Sequence, residues 1–232
     1  LNQAAAMVTA GVYDVVLALG VEKLYDVDKR KSFAAFSGAV DVENLAEIMK
    51  ALQDGAKSSG AESGASGAGE KRSMFMDIYA TVARSHMQRY GTTVEQFAAV
   101  SAKNSRHGRL NPRAQFRQEL TVEEVLASPM VAEPLTRPMC SPIGDGAAAV
   151  IVVSERKAKE MGISRPVRIL TSVLRSGRDR VAGEEDTATR CAKEAFEFAG
   201  VGPQDLGLME CHDASAPAEI MAYEAVGLCA PG

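Results

Sequence analysis

The chain contains several short apolar runs separated by amphipathic segments. Each run has the length and composition of a buried β-strand, with mostly Val, Ile, Leu and Ala in about six to eight residues. The amphipathic segments between the runs have apolar residues at helical spacing. Such an order predicts an α/β fold with βαβ units and a sheet covered on both faces. The four predicted strands are residues 14–20, 147–153, 167–174 and 206–211.

Capping residues and glycines mark the helix boundaries. Thr93 and Thr121 each start a capping box, in which a Gln or Glu three residues later can reach back to the cap. Ser154 can cap the helix that follows the second strand. An apolar stripe containing Cys191 predicts a further helix with this cysteine in the core. The helices are predicted over residues 1–10 (ended by Gly11), from Thr93, from Thr121, over 155–161 (closed by Gly162), over 188–199 (ended by Gly200) and from Pro217 to Gly227.

Residues 55–69 have a different composition from the rest of the chain. Thirteen of these fifteen residues are Gly, Ala or Ser, which cannot bury enough apolar surface to offset the entropy of ordering. A mobile, protease-sensitive surface loop is expected there.

Composition and charge argue against a nucleic-acid-binding, membrane-spanning or metal-binding protein. With 232 residues, 46% of them hydrophobic and 24% charged, the chain can bury a core of one or two domains. The net charge of −4 and the scattered basic residues argue against a nucleic-acid partner. No run approaches a membrane span and no signal peptide is visible, so a soluble, cytoplasmic protein without a membrane partner is expected. The four cysteines form no CxxC pair, which favours free thiols and no metal site.

Two polar segments lie where a predicted strand meets a loop or helix, which is where α/β sheets bind ligands. In the first, residues 140–149, Asp145 and two glycines fit either a plain turn or a ligand-binding loop. In the second, His212 lies between a strand and a helix start, and the pattern alone fits a packed or a catalytic histidine equally well. A third stretch, residues 106–117, is basic and fits a solvated loop or a contact with phosphates.

At these segments the sequence resembles the thiolase family. Asp145 to Ala149 read DGAAA before an apolar strand, like the family's motif, and His212 to Glu219 resemble its HD(C/A)F-type motif. The resemblance covers essentially the whole chain in the family's order. Residues 4–23, 86–92 and 223–229 resemble more specifically the thiolases of the sterol-carrier-protein x group.

The resemblance implies a thiolase fold of two related α/β halves stacked in αβαβα layers. Residues 1–163 would be part of the first half, with a loop region inserted at about 25–136, and residues 164–232 would begin the second. It also implies a role in lipid metabolism such as fatty acid β-oxidation, by cleavage of 3-ketoacyl-CoA with CoA or the reverse Claisen condensation. Coenzyme A would be a co-substrate with no permanently bound cofactor, acyl-CoA the other ligand, and the assembly a homodimer or homotetramer.

Two residues match positions with a role in the family. His212 matches the polar residue that helps to form an oxyanion hole, often through a water. Ser141 matches a residue that touches the pantetheine arm of CoA, although Cys140-Ser141-Pro142 departs from the commoner NASG wording. Ser215 stands where many relatives have an aromatic residue, which implies a roomier or more polar pocket wall.

The family's nucleophilic cysteine would precede a helix like residues 1–10, and its basic histidine and second cysteine would follow a segment like residues 228–232. We therefore expect a chain truncated at both ends, without turnover by itself. Of its own cysteines, Cys140 is expected to be the accessible one. Two alternatives remain: a thiolase-like aldolase acting on 3-hydroxyacyl-CoA, and a catalytically inactive module of the same fold.

Overall fold

A computed structural model describes residues 1–39, 73–177 and 184–232, together with 41, 43, 44, 47 and 50. The chain divides into two compact units. The first consists of residues 1–23, 144–209 and 225–228, and the second of residues 24–143, 210–224 and 229–232.

The first unit is built around a two-stranded antiparallel ladder. Strand β1 (Val15–Glu22) pairs with strand β4 (Gly146–Val153), with Val15 opposite Val153 and Glu22 opposite Gly146. Ser154 ends β4 and begins a helix, because its hydroxyl accepts a hydrogen bond from the Lys157 amide at 3.2 Å. The helices of this unit are α1 (Asn2–Thr9), α6 (Glu155–Glu160) and α7 (Thr187–Ala199).

The second unit contains the main hydrophobic core. It holds α2 (Lys29–Ala35), α3 (Met74–Tyr90), α4 (Val94–Leu110), α5 (Val122–Leu126) and the hairpin of β2 (Met130–Ala132) with β3 (Leu135–Thr136). Small and large side chains alternate in the core: Ala80, Ala83 and Ala98 lie beside Phe97 and Leu135, all at most 1% exposed. Residues 216–224 of α8 (Ala216–Val226) also belong to this unit.

The predicted helices agree with the structure. Both capping boxes, at Thr93 and Thr121, are present. Gly11, Gly162, Gly200 and Gly227 follow helices with positive φ angles between 65° and 83°, which residues with a Cβ rarely adopt.

The strand predictions need correction. Residues 14–20 and 147–153 do form strands, but the strands are not buried: Leu17 and Leu19 are 62% and 66% exposed. Residues 167–174 and 206–211 are not strands in the structure, and Val167 is 94% exposed. A strand requires a hydrogen-bonded neighbour, and the described residues offer none to these two segments. The ladder between β1 and β4 is antiparallel, so no parallel βαβ unit occurs in the described part of the chain.

Two further expectations differ in detail. The basic stretch is not a loop throughout, because α4 continues to Leu110 and includes Arg106 and Arg109. Cys191 is half-buried and does not lie in the core as expected, and no residue of α7 is fully buried.

The expected mobile loop, residues 55–69, lies outside the described residues. The proposed boundary at residues 163/164 and the inserted region stay predictions. No described helix is both long and apolar enough to span a bilayer. Within the same residues, no cluster of His, Cys, Asp and Glu side chains could hold a metal ion.

Candidate active site

Residues 140–143, the beginning of the first polar segment, lie beside the segment that carries His212 in the second unit, whereas residues 144–149 belong to the first unit. The amide of Ser141 donates a hydrogen bond to the carbonyl oxygen of Ala214 at 3.1 Å. Cys140 and Ser215 form an isolated antiparallel bridge next to it. The chain segments that carry Ser141 and His212 are thus held together by backbone hydrogen bonding, although they are far apart in sequence.

Ser141 and His212 are both exposed. The imidazole of His212 has no hydrogen-bond partner among the described residues, so its position depends on the backbone on either side of it. Ser215 is only 1% exposed, and its hydroxyl oxygen has no hydrogen-bond partner within the described structure. The expected polar pocket wall at Ser215 stays a prediction.

A polar cluster adjoins the His212 segment and centres on Glu219, which is only 3% exposed. The ammonium of Lys103 lies 2.6 Å from Glu219 Oε1, and the Tyr223 hydroxyl donates to the same oxygen. The amide nitrogen of Asn104 donates to Glu219 Oε2 at 2.6 Å and to Asp213 Oδ2 at 3.2 Å. Lys103 and Asn104 belong to α4, whereas Glu219 and Tyr223 are one turn apart on α8.

The pKa values of the two carboxyls in this cluster are shifted in opposite directions. Burial alone would raise the pKa of Glu219, but hydrogen bonds from Lys103, Tyr223 and Asn104 outweigh it and hold that pKa below its ordinary value. Burial, followed by the charge of Glu219, raises the pKa of Asp213. Burial and the bond to Glu219 raise the pKa of Tyr223. Glu219 is therefore the carboxylate of the cluster whose ionised form the structure stabilises, and the charge of Lys103 compensates it.

A second buried pair joins α3 to α8. His86 Nε2 lies 2.9 Å from Glu224 Oε1, and His86 Nδ1 lies 2.8 Å from the hydroxyl oxygen of Thr92. The amide of Gly232 also donates to Glu224 Oε1, at 2.9 Å. His86 and Thr92 are 7% and 5% exposed, so this arrangement is a packing contact and not a solvent-accessible triad.

Cys140, Cys211 and Cys229 do not have the environment of an activated thiolate. Burial raises the pKa of the Cys140 thiol to about 11, and burial is also the main cause of the raised pKa of Cys211 and of Cys229. Cys140 is half-buried and Cys229 is the exposed cysteine, so the expectation that Cys140 is the accessible thiol is wrong. The turn around Cys140 is covered because Cys140 pairs with Ser215.

The arrangement offers hydrogen-bond donors and a titratable imidazole beside an exposed loop. These are groups that can bind a carbonyl or thioester oxygen but cannot by themselves supply a nucleophile. The sequence pattern assigned no role to Lys103, Asn104 or Tyr223. Glu219 and Tyr223 could have been noticed as an i, i+4 pair on one helix face, whereas no local signal connects Asn104 with Asp213.

Comparison with known proteins gives two family matches along the chain. The model of the thiolase N-terminal domain matches residues 1–156, and that of the thiolase C-terminal domain-like family matches residues 176–232.

Curated relatives are consistent with these matches. An acetyl-CoA acetyltransferase of Methanothermobacter thermautotrophicus is 36% identical over 97% of the chain and 53% of its own length. The benzoylsuccinyl-CoA thiolase subunit BbsB of Thauera aromatica is 42% identical over 66% of the chain and 41% of its own. Human sterol carrier protein 2 is 34% identical over 67% of the chain and 30% of its own.

A solved structure, the Ltp2-ChsH2(DUF35) aldolase, superposes on 98% of the chain and 55% of its own chain with a TM-score of 0.70. At 22% identity this likeness shows the fold alone.

Proposed function

Because the chain belongs to the thiolase family, we propose that it is part of an acyl-CoA acyltransferase that cleaves 3-ketoacyl-CoA with CoA or catalyses the reverse Claisen condensation. The reaction requires an activated thiolate, a second acid/base group and donors to two thioester oxyanions. In this proposal the chain contributes one of the oxyanion donors and part of the CoA-binding surface.

One observation carries the proposal. The Ser141 amide donates to the Ala214 carbonyl at 3.1 Å, so the loop proposed to touch CoA adjoins the loop with the proposed oxyanion donor. A CoA thioester needs both contacts at once, because its pantetheine arm and its reacting carbonyl are covalently joined. Two exposed polar loops that adjoin each other meet this requirement.

Each residue has a separate role in the proposal. His212 donates toward the thioester oxygen, directly or through water, where negative charge develops in the transition state. Ser141 contacts the pantetheine arm of CoA. A donor of the first kind raises kcat, whereas a contact of the second kind contributes to binding in both the ground and transition states.

The chain spans between 30% and 53% of the length of the three relatives described above. The activity of the whole protein, its homodimeric or homotetrameric assembly, its cytoplasmic location and its role in fatty acid metabolism are therefore parts of the proposal. So are the boundary at 163/164 and the absence of a permanently bound cofactor.

The test is His212→Ala in a full-length thiolase that contains this chain. Removal of one oxyanion donor should lower kcat/KM for 3-ketoacyl-CoA by roughly 10²-fold, while the KM for CoA changes little. The measurement is the loss of 3-ketoacyl-CoA absorbance on addition of CoA, combined with thermal melts of the same preparations. His107→Ala is the matched control for kcat, since His107 is an exposed histidine on α4.

A variant with a lower melting temperature but a normal rate per folded molecule would show His212 to be a packing residue and would refute its assigned role. The aldolase alternative predicts a different substrate: cleavage of a 3-hydroxyacyl-CoA with no need for free CoA. Assay of both substrates with the same preparation separates the two reactions. Turnover of neither would favour the inactive module.

A further inference from the structure

We propose that Asn104 is a positioning residue for His212, acting through Asp213. This inference rests on the proposed function of His212 and adds a residue that no motif includes. The Asn104 amide nitrogen carries two hydrogens. One is donated to Asp213 Oδ2 at 3.2 Å and the other to Glu219 Oε2 at 2.6 Å.

The orientation of the Asn104 amide is fixed by its neighbour. The ammonium of Lys103 donates to Asn104 Oδ1 at 2.6 Å and lies 2.6 Å from Glu219 Oε1. Since an ammonium is a donor only, the oxygen of the Asn104 side chain must face Lys103, and the NH₂ group must face the two carboxylates. A flipped amide would place its NH₂ group against the Lys103 cation and its oxygen against two carboxylates.

Glu219 is the fixed point of this arrangement. It is almost completely buried and lies in α8, where it also accepts a hydrogen bond from Tyr223. Because the Asn104 side chain bonds this buried carboxylate, it is a well-positioned hydrogen-bond donor for Asp213. Asn104 therefore connects the segment that carries His212 to α4 and α8.

His212 needs this support because its own imidazole has no hydrogen-bond partner in the described part of the chain. The segment is held on the C-terminal side of His212 at two successive residues: the Asp213 side chain accepts a hydrogen bond from Asn104, and the Ala214 carbonyl accepts one from the Ser141 amide. Catalytic donors must keep their position to within about 0.5 Å, and shifts of about 1 Å cost orders of magnitude in rate. Loss of the Asn104 contact should thus misplace the imidazole without removing it.

The test is a double-mutant cycle in the full-length thiolase, with acetoacetyl-CoA and CoA as substrates. Asn104→Ala should lower kcat by about 10-fold and leave the KM for CoA unchanged. In the His212→Ala background the same substitution should have no further effect, because a positioning residue has nothing left to position. Asn44→Ala is the control and should leave both constants unchanged, because Asn44 is exposed and its side chain bonds Asp41, outside the candidate site. If Asn104→Ala does not fold, Asn104→Gln keeps the amide but displaces it by one methylene, and the same loss of kcat is expected.

The outcomes separate the two proposals. Effects of Asn104 and His212 substitutions that multiply, or an Asn104 variant that loses thermal stability at an unchanged rate, would overturn the positioning role and leave the function of His212 intact. A fully active His212→Ala enzyme would overturn both.

Discussion

The four cysteines differ in exposure and in the pKa of the thiol, and both differences have consequences for reactivity. Cys229 is exposed, whereas the other three are half-buried. Reaction with an electrophile requires the thiolate, and access to it decides the rate among thiols of similar pKa. The turn that the sequence suggests for Cys140 is partly covered in the structure, so the Cys140 thiol is less accessible than that of Cys229 and its raised pKa keeps it mostly protonated.

At pH 8 a disulfide reagent such as DTNB should react first with Cys229. A thiol with a pKa of about 11 has only about one part in a thousand as thiolate at that pH, so Cys140 should react far more slowly. Time-resolved labelling with peptide mapping measures the order, and Cys229→Ser should remove the fast phase. Labelling of Cys140 within the fast phase would contradict this assignment.

Contact between α4 and α8 depends on charge as well as on apolar packing. The buried carboxylate of Glu219 in α8 faces Lys103 and Asn104 of α4. Removal of one member of a buried, hydrogen-bonded charge pair leaves the other without compensation. Lys103 is half-buried, so water can replace part of what it would lose.

Glu219→Gln should lower the free energy of unfolding at pH 7 by about 1.5 to 3 kcal/mol, the range for hydrogen bonds to a charged group. The folded-state pKa of Glu219 lies below its ordinary value of 4.5. Its carboxylate therefore stabilises the fold fully above pH 4.5, and this contribution is lost as the pH falls through the folded-state pKa. Denaturant unfolding at pH values from 3 to 8 should show the difference between wild type and variant closing below pH 4.5.

Asp213→Asn is the matched control because its pKa is shifted in the opposite direction. The pKa of Asp213 is raised above its ordinary value of 3.8, so its ionisation destabilises the folded state as the pH rises above 3.8. The Asn variant should be more stable than wild type at neutral pH, and the gain should disappear below pH 3.8. If the difference in stability from wild type had the same sign of pH dependence for both variants, Glu219 would not be the carboxylate whose ionised form the structure stabilises.

The chain belongs to the thiolase fold, as the motifs predicted. Acyl transfer by this family needs an activated cysteine, and the pKa values of Cys140, Cys211 and Cys229 are all raised. The fold therefore does not by itself provide the activated cysteine that the proposed chemistry needs, and these three thiols do not provide it.

The 232-residue chain by itself should show no thiolase turnover, because the acyl-enzyme needs an activated thiolate and the pKa values of Cys140, Cys211 and Cys229 are raised and not lowered. The measurement is the loss of acetoacetyl-CoA absorbance in the presence of CoA, with a full-length relative as the positive control. Repeated turnovers per chain from a clean preparation would refute the prediction. In that case, substitution of each cysteine by serine would identify the thiol responsible.

Local signals in the sequence were sufficient for the helices and for the family. Capping boxes at Thr93 and Thr121 and glycines after helices act within a few residues, so the pattern alone predicts these boundaries. The motif at residues 212–219 likewise identified a segment that lies beside Cys140 and Ser141 in the structure.

What the tertiary structure decided depends on partners distant in sequence. Residues 167–174 have the composition of a strand but no described segment pairs with them. The side chains of Leu17 and Leu19 in β1 are exposed, because β4 is the one strand that pairs with β1 among the described residues. Burial of Cys140 follows from its pairing with Ser215. The contact of Asn104 with Asp213 and Glu219 depends on the packing of α4 near α8. A one-dimensional pattern records what each segment prefers, whereas strand pairing, thiol burial and side-chain contacts between helices are set by which segments meet.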